Sequence, residues 1–251
     1  MMKSIFTIIL STFTLLLFSQ GINKTDAKGK KQGEWKKLYE NGFVRYQGQF
    51  KDDKPFGTFN YYFDTGKPSL IMNYDGVIAR TLAFYDEGKI KAKGNYVNQK
   101  KDSIWIYYSL AGYKVSEELH VNGLKQGKVL NFFEDGTMAE EKEYTNDIEE
   151  GEWNQYYENG KVRMKSTYKN GVLEGKTYYY DREGKKMIEG NFLHDVRHGA
   201  WMFFDEKGNI TKKEIFVNGN CENCQENIIK EEGESKDKQD VMEFEDMLPP
   251  Q

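Results

Sequence analysis

The only two cysteines of the chain, Cys221 and Cys224, are three positions apart and directly follow an Asn-Gly pair and one further residue. A Cys-x-x-Cys spacing is typical of a redox-active dithiol or of half a zinc site. A thioredoxin-like pair begins a helix within a βαβ unit, which this sequence does not predict, and a zinc site would need two further ligands. We therefore predict a small local disulfide that closes the end of the preceding structure, as expected in an oxidising compartment.

The histidines give no pattern that predicts catalysis or metal binding. His194 and His198 have the spacing that gathers two metal ligands on one face of a helix, but their segment is predicted to be a turn, and no Glu follows His194. We predict ordinary turn histidines there. Since no phosphate-binding glycine motif and no Ser-His-Asp signature is found either, the sequence predicts a protein without enzymatic activity, cofactor or metal.

The elements that carry these residues repeat along the chain. Eight segments align with starts 24 residues apart, except that the third starts 22 residues after the second. We call these segments units 1 to 8, and they open at Gly33, Gly57, Ala79, Ser103, Gly127, Gly151, Gly175 and Gly199. Nine residues after every start stands a glycine, here called the turn glycine: Gly42, Gly66, Gly88, Gly112, Gly136, Gly160, Gly184 and Gly208.

Aromatic residues recur at fixed offsets from these starts. Two residues after a start come Trp35, Phe59, Thr81, Trp105, Val129, Trp153, Thr177 and Trp201, which include all four tryptophans. Five residues after a start come Leu38, Tyr62, Phe84, Tyr108, Phe132, Tyr156, Tyr180 and Phe204. Eight residues after the turn glycine come Phe50, Tyr74, Tyr96, His120, Tyr144, Tyr168, Phe192 and Phe216, so packing is the expected role of His120.

Each unit reads as strand, turn, strand, turn. An aromatic stretch, an Asn-Gly pair and a second extended stretch form a strong β-hairpin signal, which residues 156–162 display. The turn glycine supplies the positive φ that a tight reversal needs. Eight units therefore predict an all-β fold, an elongated antiparallel meander of about sixteen strands, roughly 75 Å long at the usual strand spacing.

The pattern Gly-x-Trp-x-x-Tyr-Tyr-x-x-Gly, followed by Val or Ile, an aromatic residue and Asn-Gly, resembles the MORN-type repeat. It is most similar to the variant in bacterial antitoxins of the YwqK type, and 151–171 is the cleanest copy. The resemblance covers about residues 33–219. It implies a twisted single-layer sheet that serves as a scaffold for protein contacts and has no shared catalytic residues. Units 3 and 4 depart from the pattern at Thr81, Ser103 and His120, so we expect the irregular stretch there.

The two ends of the chain differ from the repeats. A basic start and the apolar run from Ile5 to Phe18 predict a cleaved signal peptide over 1–19, with an uncleaved anchor as the alternative. A short linker over 20–32 leads to the repeat array over 33–220. The remaining residues, 221–251, hold the cysteine pair and, from Gln225, nine acidic residues against three lysines, which predicts a disordered tail. Within that tail Val241, Phe244 and Leu248 could line a short helix.

These features favour an exported scaffold, periplasmic, cell-surface or secreted, that binds an unknown protein partner. A net charge of −4 predicts no nucleic-acid partner, and the acidic balance disfavours a membrane-lipid surface. The predicted binding surface consists of rings that directly follow the residue five positions after a unit start: Tyr39, Phe63, Tyr85, Phe133 and Tyr157. Alternatives are stacking of an envelope glycan or other cell-envelope polymer on the regularly spaced tryptophan and tyrosine rings, and a redox enzyme built on the two cysteines. An antitoxin role fits export only if the partner acts outside the cytoplasm.

Overall fold

The computed structural model describes residues 21–224, which form one antiparallel sheet of 20 strands. The predicted signal peptide and the predicted acidic tail beyond Cys224 lie outside these residues. Within 21–224 there is no helix with the length and apolarity to cross a bilayer. Strands that follow one another along the chain pair side by side, except where two short pieces make up one interrupted strand, so the sheet runs in sequence order from its first strand to its last. The predicted all-β hairpin meander is confirmed.

The long strands follow the repeat, with two strands per unit. They are β2 (Lys31–Leu38), β3 (Val44–Lys51), β4 (Lys54–Tyr62), β5 (Pro68–Asp75), β6 (Ile78–Phe84), β7 (Ile90–Val97), β8 (Lys100–Tyr108), β9 (Lys114–Val121), β10 (Leu124–Phe132), β11 (Met138–Thr145), β12 (Ile148–Tyr156), β13 (Val162–Lys169), β16 (Lys186–Leu193) and β19 (Ile210–Val217). The first strands of units 7 and 8 each consist of two pieces: β14 (Val172–Leu173) with β15 (Gly175–Tyr180), and β17 (Val196–Arg197) with β18 (Gly199–Phe204). Two short strands, β1 (Lys24–Thr25) and β20 (Asn220–Cys221), end the sheet.

The turn inside each unit is a tight reversal with the turn glycine in its last position. In unit 1, Gly42 N donates to Tyr39 O over 3.0 Å and Tyr39 N donates to Phe43 O over 2.8 Å. All eight turn glycines have positive φ, from 78° at Gly160 to 98° at Gly112. This is the three-residue hairpin loop in which a left-handed residue follows a tight turn, and glycine takes that conformation without strain.

The turns between units are two-residue loops, most with positive φ at both central positions. Asn122 and Gly123 have φ of 53° and 93°, as a type I′ turn requires. The less obvious pair Asn98-Gln99 has the same conformation, with φ of 49° and 64°. The loop at Gly76 differs because positive φ is confined to that residue, at 62°.

A bulge with two extra residues opens most units. In the β3–β4 ladder the single residue Gly48 lies opposite residues 57–59, because Gln47 pairs with Asn60 and Gln49 with Phe56. The unit start itself lies in the left-handed region, with φ of 65° at Gly57. The recurring start glycine is therefore a bulge residue.

Unit 3 lacks this bulge. The β5–β6 ladder runs without a shift from the Leu70–Ala83 pair to the Asp75–Ile78 pair. The 22-residue step in the sequence is thus the loss of the two bulge residues, and Ala79 can replace glycine because its φ is not positive.

The hydrophobic core lies on one face of the sheet and is largest in units 2 to 4. Its buried members are Phe59, Leu70, Met72, Ala79, Ala83, Ala92, Tyr96 and Trp105. The stretch that was expected to be irregular therefore differs in its ladder but contains the best-packed part of the sheet.

Rings of this core lie flat on glycines of the preceding strand. A β-carbon at Gly94 would overlap the ring of Trp105, and the same holds for Gly48 with Phe59 and for Gly190 with Trp201. Where the ring is replaced by Thr81, its cross-strand partner is Met72 in place of glycine. At these positions of units 2, 3, 4 and 8, ring size and partner size therefore compensate each other.

Candidate functional site

Most of the rings that stand two residues after a unit start are part of the core. Trp105 and Trp201 are 0% and 1% exposed. Trp105 makes an edge-to-face contact with Tyr96, with ring centres 5.0 Å apart. The guanidinium of Arg197 lies 4.5 Å from the centre of the Trp201 ring. These two tryptophans therefore have no free face on which a ligand could stack.

The predicted binding-surface residues lie at the turns inside the units, and we call Tyr39, Phe63, Tyr85, Phe133 and Tyr157 the turn row. All five are half-buried. The tyrosine hydroxyls connect neighbouring units: Tyr39 donates to Tyr62 O over 2.8 Å, Tyr85 to Tyr108 O over 2.9 Å, and Tyr157 to Tyr180 O over 2.7 Å. The turn row therefore lies along one side of the sheet, and each of its tyrosines fastens a turn to the next unit.

A shallow cleft of about 370 Å³ opens where the turns of units 1 and 2 meet. Its lining consists of Tyr39, Arg45, Tyr61, Tyr62, Phe63, Asp64 and Ser69, so two members of the turn row lie in it. We call it the Arg45 cleft. It combines aromatic surface with one cation and one anion, a mixture that suits a peptide segment more than a purely apolar ligand.

Arg45 is the cation of this cleft and its guanidinium is uncommitted. It is half-buried, and its guanidinium carbon lies 5.8 Å from the centre of the Tyr39 ring. Between residues 21 and 224 it forms no hydrogen bond or ion pair. The planar guanidinium has five N–H donors and binds a carboxylate through two parallel hydrogen bonds.

The middle of the sheet has polar residues on the core face. His120 Nε2 lies 2.8 Å from Glu118 Oε2, and Lys125 Nζ lies 3.3 Å from Glu118 Oε1. Burial by itself would raise the pKa of the Glu118 carboxyl, but the bonds from His120 and the charge of Lys125 outweigh it and hold this pKa below its usual value. His120, expected to pack in an aromatic position, is 4% exposed and also hydrogen-bonds with Glu118.

Glu140 organises the neighbouring part of this polar stretch. Its carboxylate accepts hydrogen bonds from Asn131 Nδ2 at 2.8 Å, Trp153 Nε1 at 2.6 Å and Gln155 Nε2 at 3.4 Å. The sequence alone predicted no role for Glu140. The repeat pattern could have revealed this role. Glu140 stands at the repeat position where units 2 and 6 have Leu70 and Met164, and both of these side chains are buried.

This polar stretch does not form a nucleophilic centre. Ser116 precedes Glu118 and His120 on the same face of β9, but Ser116 Oγ has no hydrogen-bond partner among residues 21–224. His120 Nδ1 is likewise unpaired in that part of the chain. Since a serine nucleophile needs a base within hydrogen-bond reach, these residues do not make a Ser–His pair.

The remaining predicted residues lie near the ends of units. Cys221 and Cys224 form a disulfide, with their Cα atoms 5.6 Å apart. His194 lies in the turn between units 7 and 8, with φ of 50°, and His198 directly precedes the start of β18. Residues 21–224 contain no group of three or more His, Cys, Asp or Glu side chains that could hold a metal ion.

Five segments of the chain match the MORN repeat variant: residues 31–52, 80–98, 125–146, 149–170 and 197–218. Four of these matches begin two residues before a unit start, so the repeat and the structural unit share one period. The resemblance to the MORN-type repeat is therefore confirmed at units 1, 3, 5, 6 and 8. Such repeats are commonly non-catalytic binding modules. No curated protein matches the chain.

Proposed function

We propose that this chain is an exported, non-catalytic scaffold that binds a protein partner along the turn row, with the Arg45 cleft as the main contact. The observation that carries the proposal is the half-buried Arg45 guanidinium, which faces aromatic surface and has no acidic partner within 21–224. A half-buried arginine that lies over a ring is partly desolvated, so a carboxylate gains more from it than from an exposed lysine.

The lining of the cleft specifies the partner segment. Tyr39 and Phe63 offer ring surface, and Asp64 lies across from the arginine in the same lining. We infer an extended segment in which an acidic side chain reaches Arg45 while a neighbouring apolar side chain covers Phe63. Arginine and aromatic anchors of this kind commonly dominate binding energy at protein interfaces.

Two features support an extracytoplasmic partner. The apolar run after the basic start has the length of a signal peptide. The Cys221–Cys224 pair is bonded, and disulfides of structural type persist in oxidising compartments.

Site-specific crosslinking in the native host tests the proposal. A photoreactive residue placed at Phe63 should yield a discrete crosslinked product, and Arg45→Gln in the same chain should reduce its yield at least tenfold. The control position is Val77, which is 60% exposed in the loop between units 2 and 3, on the side of the sheet away from the turn row and outside the cleft. Equal products from both positions, or a Phe63 product that Arg45→Gln leaves unchanged, would contradict the proposal.

Two narrower forms of binding predict different results. A toxin-neutralising role of the antitoxin type would require the product at Phe63 to contain a toxin that acts outside the cytoplasm. Glycan binding would depend on Trp35 and Trp153, the two half-buried tryptophans. It predicts a change in tryptophan fluorescence on titration with envelope polysaccharide, and this change should be lost in a Trp35→Ala, Trp153→Ala variant.

A further inference from the structure

Both ends of the sheet are covered by an asparagine side chain that takes the place of a neighbouring strand. At the N-terminal end, Lys36 N donates to Asn23 Oδ1 over 2.8 Å and Asn23 Nδ2 donates to Lys36 O over 2.9 Å. A side-chain amide has one donor and one acceptor in the arrangement of a peptide group, so it satisfies both backbone atoms of Lys36 at once. The short β1 covers the two neighbouring residues of β2.

The C-terminal end repeats this arrangement with different residues. Ile215 N donates to Asn223 Oδ1 over 2.7 Å, and Asn223 Nδ2 donates to Lys213 O over 3.0 Å. The short β20 pairs with Phe216 and Val217 beside it. Unpaired edge strands are templates for pairing with another chain, and the asparagines occupy the edge positions at which such pairing would occur.

The C-terminal cover is the beginning of a ninth unit that stops at Asn223. Glu222 N donates to Ile215 O over 2.9 Å, as Glu174 N donates to Thr167 O over 3.0 Å two repeat boundaries earlier. At the next position the inner boundary has Gly175, after which β15 continues the ladder. The last boundary has Asn223, whose side chain takes the place of that ladder, and the Cys221–Cys224 disulfide closes the loop around it.

We propose that the C-terminal edge is a regulated interface between copies of this chain: the disulfide-closed cover blocks the outer edge of β19, and opening it lets β19 pair with β2 of a second copy, where it takes the place of β1 and Asn23. β19 is the second strand of a unit, so the repeat demands the first strand of a unit next to it. Among the described strands, β2 is the first strand of a unit whose outer edge is covered by no more than β1 and Asn23.

Charge supports this head-to-tail arrangement. Residues 24–37 contain six lysines against two acidic residues, at the edge formed by β1 and β2. The sequence that directly follows Cys224 has nine acidic residues against three lysines. The lysine-rich N-terminal edge is therefore opposite in charge to the sequence that directly follows Cys224.

Opening requires reduction of one bond. A dithiol reductant transfers two electrons, the Sγ–Sγ bond of Cys221 and Cys224 breaks, two thiols form with two protons, and the dithiol becomes a cyclic disulfide. The loop that holds Asn223 is then free to leave Lys213 and Ile215, and the β19 edge becomes available.

Sedimentation velocity on the full chain across a dilution series tests the proposal. The oxidised chain should stay monomeric, whereas a dithiol, or Cys221→Ser with Cys224→Ser without reductant, should at least double the weight-average mass. Asn223→Ala should act in the same direction while the disulfide remains. The matched control is Asn220→Ala, since the Asn220 side chain is exposed and covers no edge.

A second series identifies the pairing strand. Lys36→Pro removes the N–H that Asn23 covers and leaves the β3 side of the ladder intact, because both backbone atoms of Lys36 face outward. Added to the double serine variant, it should return the mass to that of a monomer. The charge reversal Lys28→Glu with Lys30→Glu, outside the ladder, should weaken association at low salt.

Three outcomes would overturn the proposal. Monomers in every opened variant, or association of the Asn220→Ala control, would overturn the proposal. Association that survives both the Lys36→Pro and the charge-reversal changes would overturn it too, because the pairing strand is then not β2. None of these measurements depends on the Arg45 cleft, so they test this interface separately from the proposed function.

Discussion

The part of the sheet from β4 to β8 and the part from β9 to β12 are built from the same hairpins, but the first has an apolar core face and the second a polar one. The first region buries Phe59, Tyr96 and Trp105 in one hydrophobic cluster. The second places Glu118, Glu140 and their partners on the same face. In both regions the turn inside each unit has a glycine with positive φ, so the geometry of turns and bulges maintains the repeat. The content of the core face is free to vary, and stability and acid sensitivity should be distributed unevenly along the array.

The largest difference should come from the two central tryptophans. Trp105→Ala should lower the free energy of unfolding by about 3–5 kcal/mol, since a fully buried ring is replaced by a cavity. Trp153→Ala should cost less than half of this, because Trp153 is half-buried in the polar region. Urea unfolding followed by circular dichroism measures both values. Equal losses would mean that the two regions do not differ in packing energy.

Next in size is the contact between ring and glycine. Gly94→Ala should cost about 1–3 kcal/mol, because the added carbon overlaps the Trp105 ring and forces it to move. In a Trp105→Val background the same alanine should cost much less, since the smaller side chain leaves room. A double-mutant cycle on urea unfolding measures this coupling. A cost that is independent of residue 105 would show that the glycine is needed for another reason.

Turn chemistry was predictable from the sequence and ladder detail was not. The turn glycines and Asn-Gly pairs are local signals, because few residue types adopt a positive φ without strain. They led to the right order of the strands and to two strands per unit, but not to the short end strands or the two interrupted strands. The bulge was missed because its glycine was read as a unit start. At Ser103 the bulge also occurs without glycine, at a φ of 61°.

The candidate site was predictable in part, for a related reason. The turn row could be located from the sequence, because a ring recurs directly after the residue that stands five positions after a unit start. The Arg45 cleft could not, because it depends on how the turns of two units lie together and on the lack of an acidic partner near one arginine. The asparagine covers at the edges likewise join residues whose pairing no repeat pattern encodes.

Acid should affect the polar region first. The folded-state pKa of Glu118 lies below its ordinary value of 4.5, so its ion pairs stabilise the fold above that pH and are lost as pH falls through the lowered pKa. The stability advantage of the wild type over Glu118→Gln should therefore be constant near neutral pH and shrink below about pH 4.5. Urea unfolding at a series of pH values measures this difference. Lys125→Met should bring the loss to higher pH, because it removes a charge that lowers the pKa of Glu118.

The smallest expected effects concern the unit start, which lies in a bulge in unit 4 and in a regular ladder in unit 3. Ser103 opens unit 4 in a bulge with a φ of 61°, a conformation that strains a side chain, so Ser103→Gly should stabilise the fold by about 0.5–1 kcal/mol. Ala79 opens unit 3, where the ladder has no bulge and the methyl group is buried. Ala79→Gly should therefore destabilise by about 1 kcal/mol, since glycine adds backbone entropy to the unfolded chain and removes packing. Thermal unfolding of both variants decides the matter: opposite signs follow if the bulge sets the residue at this position, and equal signs would mean that the serine is not strained.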